Sequence, residues 1–205
     1  MVRISKTFIR SSLIYTIAGM LPVASAILLL PFYLGGLSVS NYGALAIYLS
    51  SSLLVQVLTT YSFDTSLYLH FHEFKHEPRK LASFISSAYV LMIFIGAGVC
   101  IVTIVLGSWA VSKFFPDGSV EFFPYGIVAA MTGVFQAFFK VHSNLLQSRE
   151  QPTMFFWSNL LSFALIASLT IIGLQVYPDS MIGPVGGRLV AAVVSGIWVL
   201  ARIFS

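Results

Sequence analysis

Long apolar stretches separated by short polar or charged ones run along the whole chain. Six of these stretches contain about 20 or more mostly apolar residues, the length at which a helix can cross the hydrocarbon core of a membrane. The segments between them are short and rich in turn-forming or charged residues, so no separate soluble domain is expected. The pattern predicts one all-α transmembrane bundle over residues 1–205, with about six spans at 9–34, 42–67, 82–110, 122–146, 153–177 and 182–204.

Composition favours the same class of protein. Hydrophobic residues make up 58% of the chain and charged residues 9%, whereas about a quarter of the residues of a soluble domain are charged. A soluble chain of this length cannot bury so much apolar surface in one core. The net charge of +4 does not indicate nucleic-acid binding, because the basic residues lie at the ends of apolar runs and do not form a basic face.

The positions of lysine and arginine predict the orientation of the bundle. Lys113 and Arg188 fall on one side of the membrane, and the nine others fall on the side of the N-terminus. Cytoplasmic loops carry an excess of basic residues, so the N-terminus is expected in the cytoplasm. Aromatic residues that prefer the membrane interface agree with this orientation, since they mark the outer ends of the spans: Tyr33, Tyr42, Trp109, Tyr125 and Tyr177.

A candidate metal motif lies between the second and third spans. The segment His72-Glu73-Phe74-Lys75-His76 fits the H-E-x-x-H pattern of zinc metalloproteases, and Asp117 before a glycine resembles the third ligand of the intramembrane members. However, about 28 residues, or roughly 42 Å of helix, separate the two. The motif and the aspartate are therefore expected on opposite sides of the membrane, and we predict a solvated loop with no metal, no cofactor and no enzymatic activity.

Polar residues recur every four positions within two of the predicted spans. One series is Ser52, Gln56, Thr60 and Asp64, and the other is Thr132, Gln136, Lys140, Asn144 and Ser148. This spacing keeps each series near one face of its helix. Ionisable groups inside a membrane are costly and commonly mark a transport pathway. We therefore expect Gln56, Asp64, Gln136, Lys140 and Asn144 to line a hydrophilic groove. The alternative for Asp64 and Lys140 is that they snorkel to the interface.

The sixth span begins with a glycine-rich segment. Gly183 and Gly187 form a small-xxx-small pair, which allows another helix to approach closely. Glycine and proline in a span can also make a helix pliable, as in transporters. Arg188, near the outer end, is expected to contact lipid headgroups or an anionic substrate.

Several short segments resemble those of lipid-linked oligosaccharide flippases of the O-antigen type. Ser11-Ser12-Leu13-Ile14-Tyr15 and Leu30-Pro31-Phe32 resemble the first helix of that family, and Leu37-Ser38-Val39-Ser40-Asn41-Tyr42-Gly43 resembles the turn into the second. Phe63-Asp64-Thr65-Ser66-Leu67 is similar to the end of the second helix. Leu146-Gln147-Ser148-Arg149-Glu150-Gln151-Pro152 is similar to the loop between helices four and five. The resemblance covers nearly the whole chain and includes no catalytic motif.

The resemblance implies a multi-pass protein of the cell inner membrane, in the polysaccharide-export branch of the multidrug/oligosaccharidyl-lipid/polysaccharide exporter superfamily. Members flip polyprenyl-diphosphate-linked oligosaccharides for polysaccharide biosynthesis by alternating access. They contain two six-helix lobes, and this chain resembles the N-terminal one. A second lobe, a second copy or another membrane subunit is then the expected partner, besides membrane lipids and the lipid-linked substrate. Lys140 is the residue that we expect to contact the diphosphate.

Three alternative functions remain open at this point. The first is a lobe of a cation-coupled multidrug exporter of the same superfamily, which would favour a carboxylate deep in the bundle. The second is an intramembrane zinc metalloprotease that uses His72, Glu73 and His76. The third is a non-catalytic assembly subunit of a polysaccharide synthesis complex.

Overall fold

The computed structural model describes residues 6–74, 76–116, 118 and 120–204, which form α-helices joined by short turns. The helices are α1 (Lys6–Gly36), α2 (Val39–Thr60), α3 (Phe63–Phe74), α4 (Pro78–Phe114), α5 (Tyr125–Ser148), α6 (Pro152–Val176) and α7 (Ile182–Phe204). These residues include no strand. The predicted all-α helical bundle is therefore confirmed.

Five segments of the described chain are long and apolar enough to cross a membrane. They are Ile9–Gly36, Val39–Phe71, Pro78–Phe114, Pro152–Val176 and Ile182–Phe204. Large apolar side chains on their surfaces are exposed, such as Phe94 and Val105 on α4, as expected of helices that face lipid. The fourth predicted span, 122–146, corresponds to α5, which is 24 residues long but carries several polar residues and is not among these five apolar segments.

The second predicted span, 42–67, is interrupted and is not one continuous helix. α2 ends at Thr60, and Tyr61 and Ser62 adopt left-handed backbone conformations with φ of 39° and 61°, which residues other than glycine rarely adopt. The chain resumes as α3 at Phe63. The predicted polar series on this span is therefore divided, with its first three members on α2 and Asp64 on α3.

α5 lies at the centre of the bundle and contacts α2, α3, α4, α6 and α7. α6 packs against both α1 and α7, whereas α1 contacts α2 only sparsely. A Cβ atom at Gly183 would collide with the backbone of Gly173 on α6, and one at Gly187 would collide with the Leu169 carbonyl. The predicted close approach of a neighbouring helix to the glycines of α7 is therefore confirmed, and that neighbour is α6.

The turn between α6 and α7 is hydrogen-bonded to the turn between α1 and α2. The Asp179 backbone N–H donates to the Gly36 carbonyl at 3.0 Å, and the Ser38 N–H donates to Asp179 Oδ1 at 2.7 Å. The Asn41 side-chain amide donates to the Asp179 carbonyl at 2.8 Å and to Oδ1 at 3.0 Å. We call this group the Asp179 latch. It fixes α1 relative to α7 at one end of the bundle.

Candidate functional site

A cavity of about 540 Å³ lies between α1, α2, α5, α6 and α7. It exists because α1 and α2, although joined by a short turn, diverge along their length, while α5, α6 and α7 close the space behind them. Among the described residues, its wall contains two cationic side chains and many amides and hydroxyls. These polar residues are Tyr15, Ser25, Gln56, Gln136, Lys140, Ser143, Asn144, Gln147, Asn159, Ser162, Arg188 and Ser195.

The structure brings together the six residues that the sequence indicated for this site. Five of them line the cavity: Gln56, Gln136, Lys140, Asn144 and Arg188. Asp64 lies just outside the wall, where its Oδ2 accepts a hydrogen bond of 3.1 Å from the Asn144 side-chain amide. The two polar series, which the sequence placed on separate helices, therefore meet at this hydrogen bond.

Lys140 is exposed on the cavity side of α5. Within the described residues the one ion pair joins Lys80 to Glu77, so the Lys140 ammonium has no carboxylate partner there. Asp64, on the other polar series, does not form an ion pair with it. The Asp64 carboxylate accepts a hydrogen bond from the Asn144 amide and another, of 2.9 Å, from the backbone N–H of Thr65. Thr65 lies in the first turn of α3. The Lys140 charge is thus available to an anion.

Arg188 lies on α7 directly after the glycine that packs against α6, and it is partly buried. Its Nε atom is buried and has no hydrogen-bond partner among the described residues. The side chain also borders a small void beside Tyr48 and Thr132. A buried guanidinium N–H without an acceptor is costly, so the position favours an anionic or carbonyl oxygen from outside the described chain.

The two cations lie at different depths. α5 and α7 run in the same direction, and Lys140 is fifteen residues from the start of α5 whereas Arg188 is six residues from the start of α7. At 1.5 Å per residue, the difference of nine residues corresponds to roughly 13 Å along the bundle axis. No aspartate or glutamate belongs to the described lining of the cavity. The cavity is therefore electropositive over a substantial part of its depth.

Seven polar residues of the cavity wall were not predicted from the sequence, and Asn159 and Ser143 are the two that join neighbouring helices. Asn159 on α6 donates from its side-chain amide to Ser143 Oγ on α5 at 2.9 Å and to the Phe155 carbonyl at 2.8 Å. This contact joins α5 to α6 in the cavity wall. An amide inside the predicted span 153–177 was the available signal, since an amide inside a membrane helix usually faces a neighbouring helix.

The zinc hypothesis finds no helical support. α3 ends at Phe74, so His72 and His76 do not share the face of one helix, which the H-E-x-x-H mechanism needs. The His72 side chain and Asp117 lie outside the described residues. Within the part of the chain that is described, no three histidine, cysteine, aspartate or glutamate side chains come together as metal ligands.

Comparison of the chain with protein-family models, with curated proteins and with solved structures finds no match.

Proposed function

We propose that this chain is one lobe of a transporter that flips a polyprenyl-diphosphate-linked oligosaccharide across the cell inner membrane. The observation that carries this proposal is the cavity inside a bundle of membrane-length helices, with Lys140 and Arg188 in its wall and no carboxylate in its described lining. Such a cavity suits a polar, anionic headgroup attached to an apolar tail.

The chemistry of the wall fits the two parts of such a headgroup. An unpaired cation inside a membrane bundle is costly unless an anion or water compensates it, and a diphosphate supplies the anion. The Lys140 ammonium binds phosphate as a point charge, while the Arg188 guanidinium presents several fixed donors. The amides of Gln56, Gln136 and Asn144 both donate and accept hydrogen bonds, as sugar hydroxyls require.

The arrangement of helices is consistent with one half of an alternating-access transporter. α1 and α2 contact each other only sparsely, and they frame one side of the cavity. In this proposal, a second lobe or another membrane subunit completes the cavity on that side. In this proposal, the partner supplies the opposite wall, and rocking of the two halves exposes the headgroup to each side of the membrane in turn.

The absence of a carboxylate from the described lining argues for an anionic substrate over a coupling cation. A cation-coupled multidrug exporter lobe would favour an ionised carboxylate in the cavity. The carboxylate that the sequence indicated, Asp64, lies outside the wall and is hydrogen-bonded to Asn144 and to the Thr65 backbone. We therefore place the multidrug exporter second.

The proposal is tested by measuring the binding of a polyprenyl diphosphate and of the uncharged polyprenol to the protein in lipid nanodiscs. We expect the diphosphate to bind more tightly, and Lys140→Ala or Arg188→Ala to weaken its binding about tenfold, the value of one charge-assisted hydrogen bond. Lys140→Arg should retain part of the affinity.

Lys113→Ala is the matched control, since this lysine is exposed at the end of α4 and does not line the cavity. Equal binding of diphosphate and alcohol, or an equal effect of Lys113→Ala and Lys140→Ala, would refute the proposed site.

A further inference from the structure

A second cavity, of about 380 Å³, is an apolar groove on the outer surface of α6 and α7. It is formed mainly by Met154, Trp157, Leu161, Leu165, Val194 and Trp198, and we call it the α6–α7 groove. Trp157 and Leu161 are each 62% exposed in it. From Thr153 to Leu165 it follows α6 for twelve residues, or about 18 Å. The groove therefore starts at the first turn of α6 and reaches well into the membrane.

One end of the groove is basic. The guanidinium of Arg202 lies over the Trp198 ring, with Cζ 5.7 Å from the ring centroid, and His142 packs edge-on against the same ring at 5.3 Å. Arg149, just after the end of α5, and Arg202 are both close enough to act electrostatically on the His142 imidazole. Two arginines thus place positive charge at the end where α6 begins and α7 ends.

We propose that the α6–α7 groove binds one acyl chain of an anionic glycerophospholipid and that Arg202 binds its phosphate. The groove supplies an apolar surface of acyl-chain length, and a guanidinium held over a tryptophan at the membrane interface supplies paired donors that match phosphate geometry. A zwitterionic phospholipid has the same acyl chains, but the cation of its headgroup offsets the attraction between its phosphate and Arg202. This inference is independent of the proposed transport function.

The test uses bromine on lipid acyl chains, which quenches the fluorescence of a tryptophan in contact with it. The chain has 3 tryptophans, so two single-tryptophan variants are prepared, one keeping Trp157 and the other keeping Trp109. Trp198 is replaced by phenylalanine in both, so that an aromatic ring remains beneath the Arg202 guanidinium. Trp109 is 66% exposed on α4 and is therefore matched in exposure but distant from the groove. In bilayers of phosphatidylglycerol and phosphatidylcholine, we expect brominated phosphatidylglycerol to be favoured about fivefold at Trp157 and to show no preference at Trp109.

Variants of the basic end separate a built site from general attraction to an anionic surface. Arg202→Gln should lower the preference at Trp157 to the value at Trp109, and Arg202→Lys should retain part of it. Arg79→Gln removes one charge from the same side of the membrane, at the start of α4, and should leave the preference unchanged. The proposal is overturned if the two tryptophans give equal preferences, or if Arg202→Gln and Arg79→Gln have equal effects.

Discussion

The side-chain amide of Asn144 on α5 donates a 3.1 Å hydrogen bond to Oδ2 of Asp64 on α3. Asp64 lies two residues after the break at Tyr61 and Ser62, where the chain leaves α2. The hydrogen bond occupies the Asp64 carboxylate and orients the Asn144 amide in the cavity wall. As a result, the Asp64 carboxylate has a structural role, and the Lys140 ammonium faces the cavity without an ion pair to Asp64.

The first prediction concerns the stability of this contact. Asp64→Ala removes the acceptor of a partly buried amide, and we expect the free energy of unfolding to fall by about 1–2 kcal/mol. Asp64→Asn keeps an acceptor oxygen and should lose less. Unfolding in detergent, followed by circular dichroism, measures both. Glu73→Ala, at an exposed position on the same helix, is the control. If it destabilises the protein as much as Asp64→Ala, the hydrogen bond does not contribute.

The sequence predicted the five segments that are long and apolar enough to cross a membrane, and it predicted the polar face of α5. Both depend on patterns along a single segment. The sequence did not predict the break after Thr60, since Tyr61 and Ser62 are neither glycine nor proline, the residues that most often interrupt a helix. It also missed Asn159, whose partner Ser143 lies on another helix. Contacts between helices depend on how the helices rotate and approach one another, which a four-residue period does not specify.

The second prediction concerns the glycine contact between α6 and α7. At Gly183 an added Cβ would collide with the Gly173 backbone, whereas at Gly186 it would meet nothing within 4 Å. Gly183→Ala should therefore destabilise the bundle by about 1–3 kcal/mol through overpacking, and Gly186→Ala should have little effect. Thermal unfolding of the two variants under the same conditions decides the matter. Equal melting temperatures would show that α7 does not pack as closely as described.

The third prediction concerns the Asp179 latch and its dependence on pH. Hydrogen bonds from the Ser38 backbone and the Asn41 side chain lower the pKa of Asp179 below its ordinary value. A carboxylate with a lowered pKa in the folded state stabilises the fold above its unfolded pKa, and this contribution is lost as pH falls through the folded pKa. Stability should therefore decrease below about pH 4.

Asp179→Asn tests this assignment, because asparagine keeps an acceptor oxygen and tolerates the left-handed backbone at this position, where φ is 52°. The variant should show a smaller loss of stability between about pH 5 and pH 2 than the unaltered protein. Glu73→Gln, which lies outside the latch, should preserve the full acid dependence. An acid transition that is identical in the unaltered protein and Asp179→Asn would contradict the role of this carboxylate.

The fourth prediction concerns the orientation of the helical bundle in the membrane, which is inferred from the distribution of lysine and arginine. In intact cells, a cysteine in place of Lys113, at the end of α4, should react with an impermeant maleimide added from outside. A cysteine in place of His76, in the turn before α4, should react only after the cells are opened. Cys100 is replaced by alanine in both variants, because it is the single native cysteine. The opposite pattern would place the N-terminus outside.

The last prediction separates a water-filled cavity from snorkelling at Lys140. Snorkelling requires water only near the end of the helix, whereas a cavity carries water deeper. Gln136 also lines the cavity, one helical turn before Lys140 in the chain. It lies twelve residues, or about 18 Å, from the end of α5 at Ser148. In a background without Cys100, cysteines at positions 140 and 136 should both react with a small charged thiosulfonate. A cysteine in place of Ile101, which is 62% exposed on α4, should react far more slowly because it faces lipid.

If position 136 is as unreactive as position 101, the polar face of α5 is dry and Lys140 only reaches the interface. If positions 136 and 140 react, polyprenyl diphosphate should slow their modification, while the uncharged polyprenol should not.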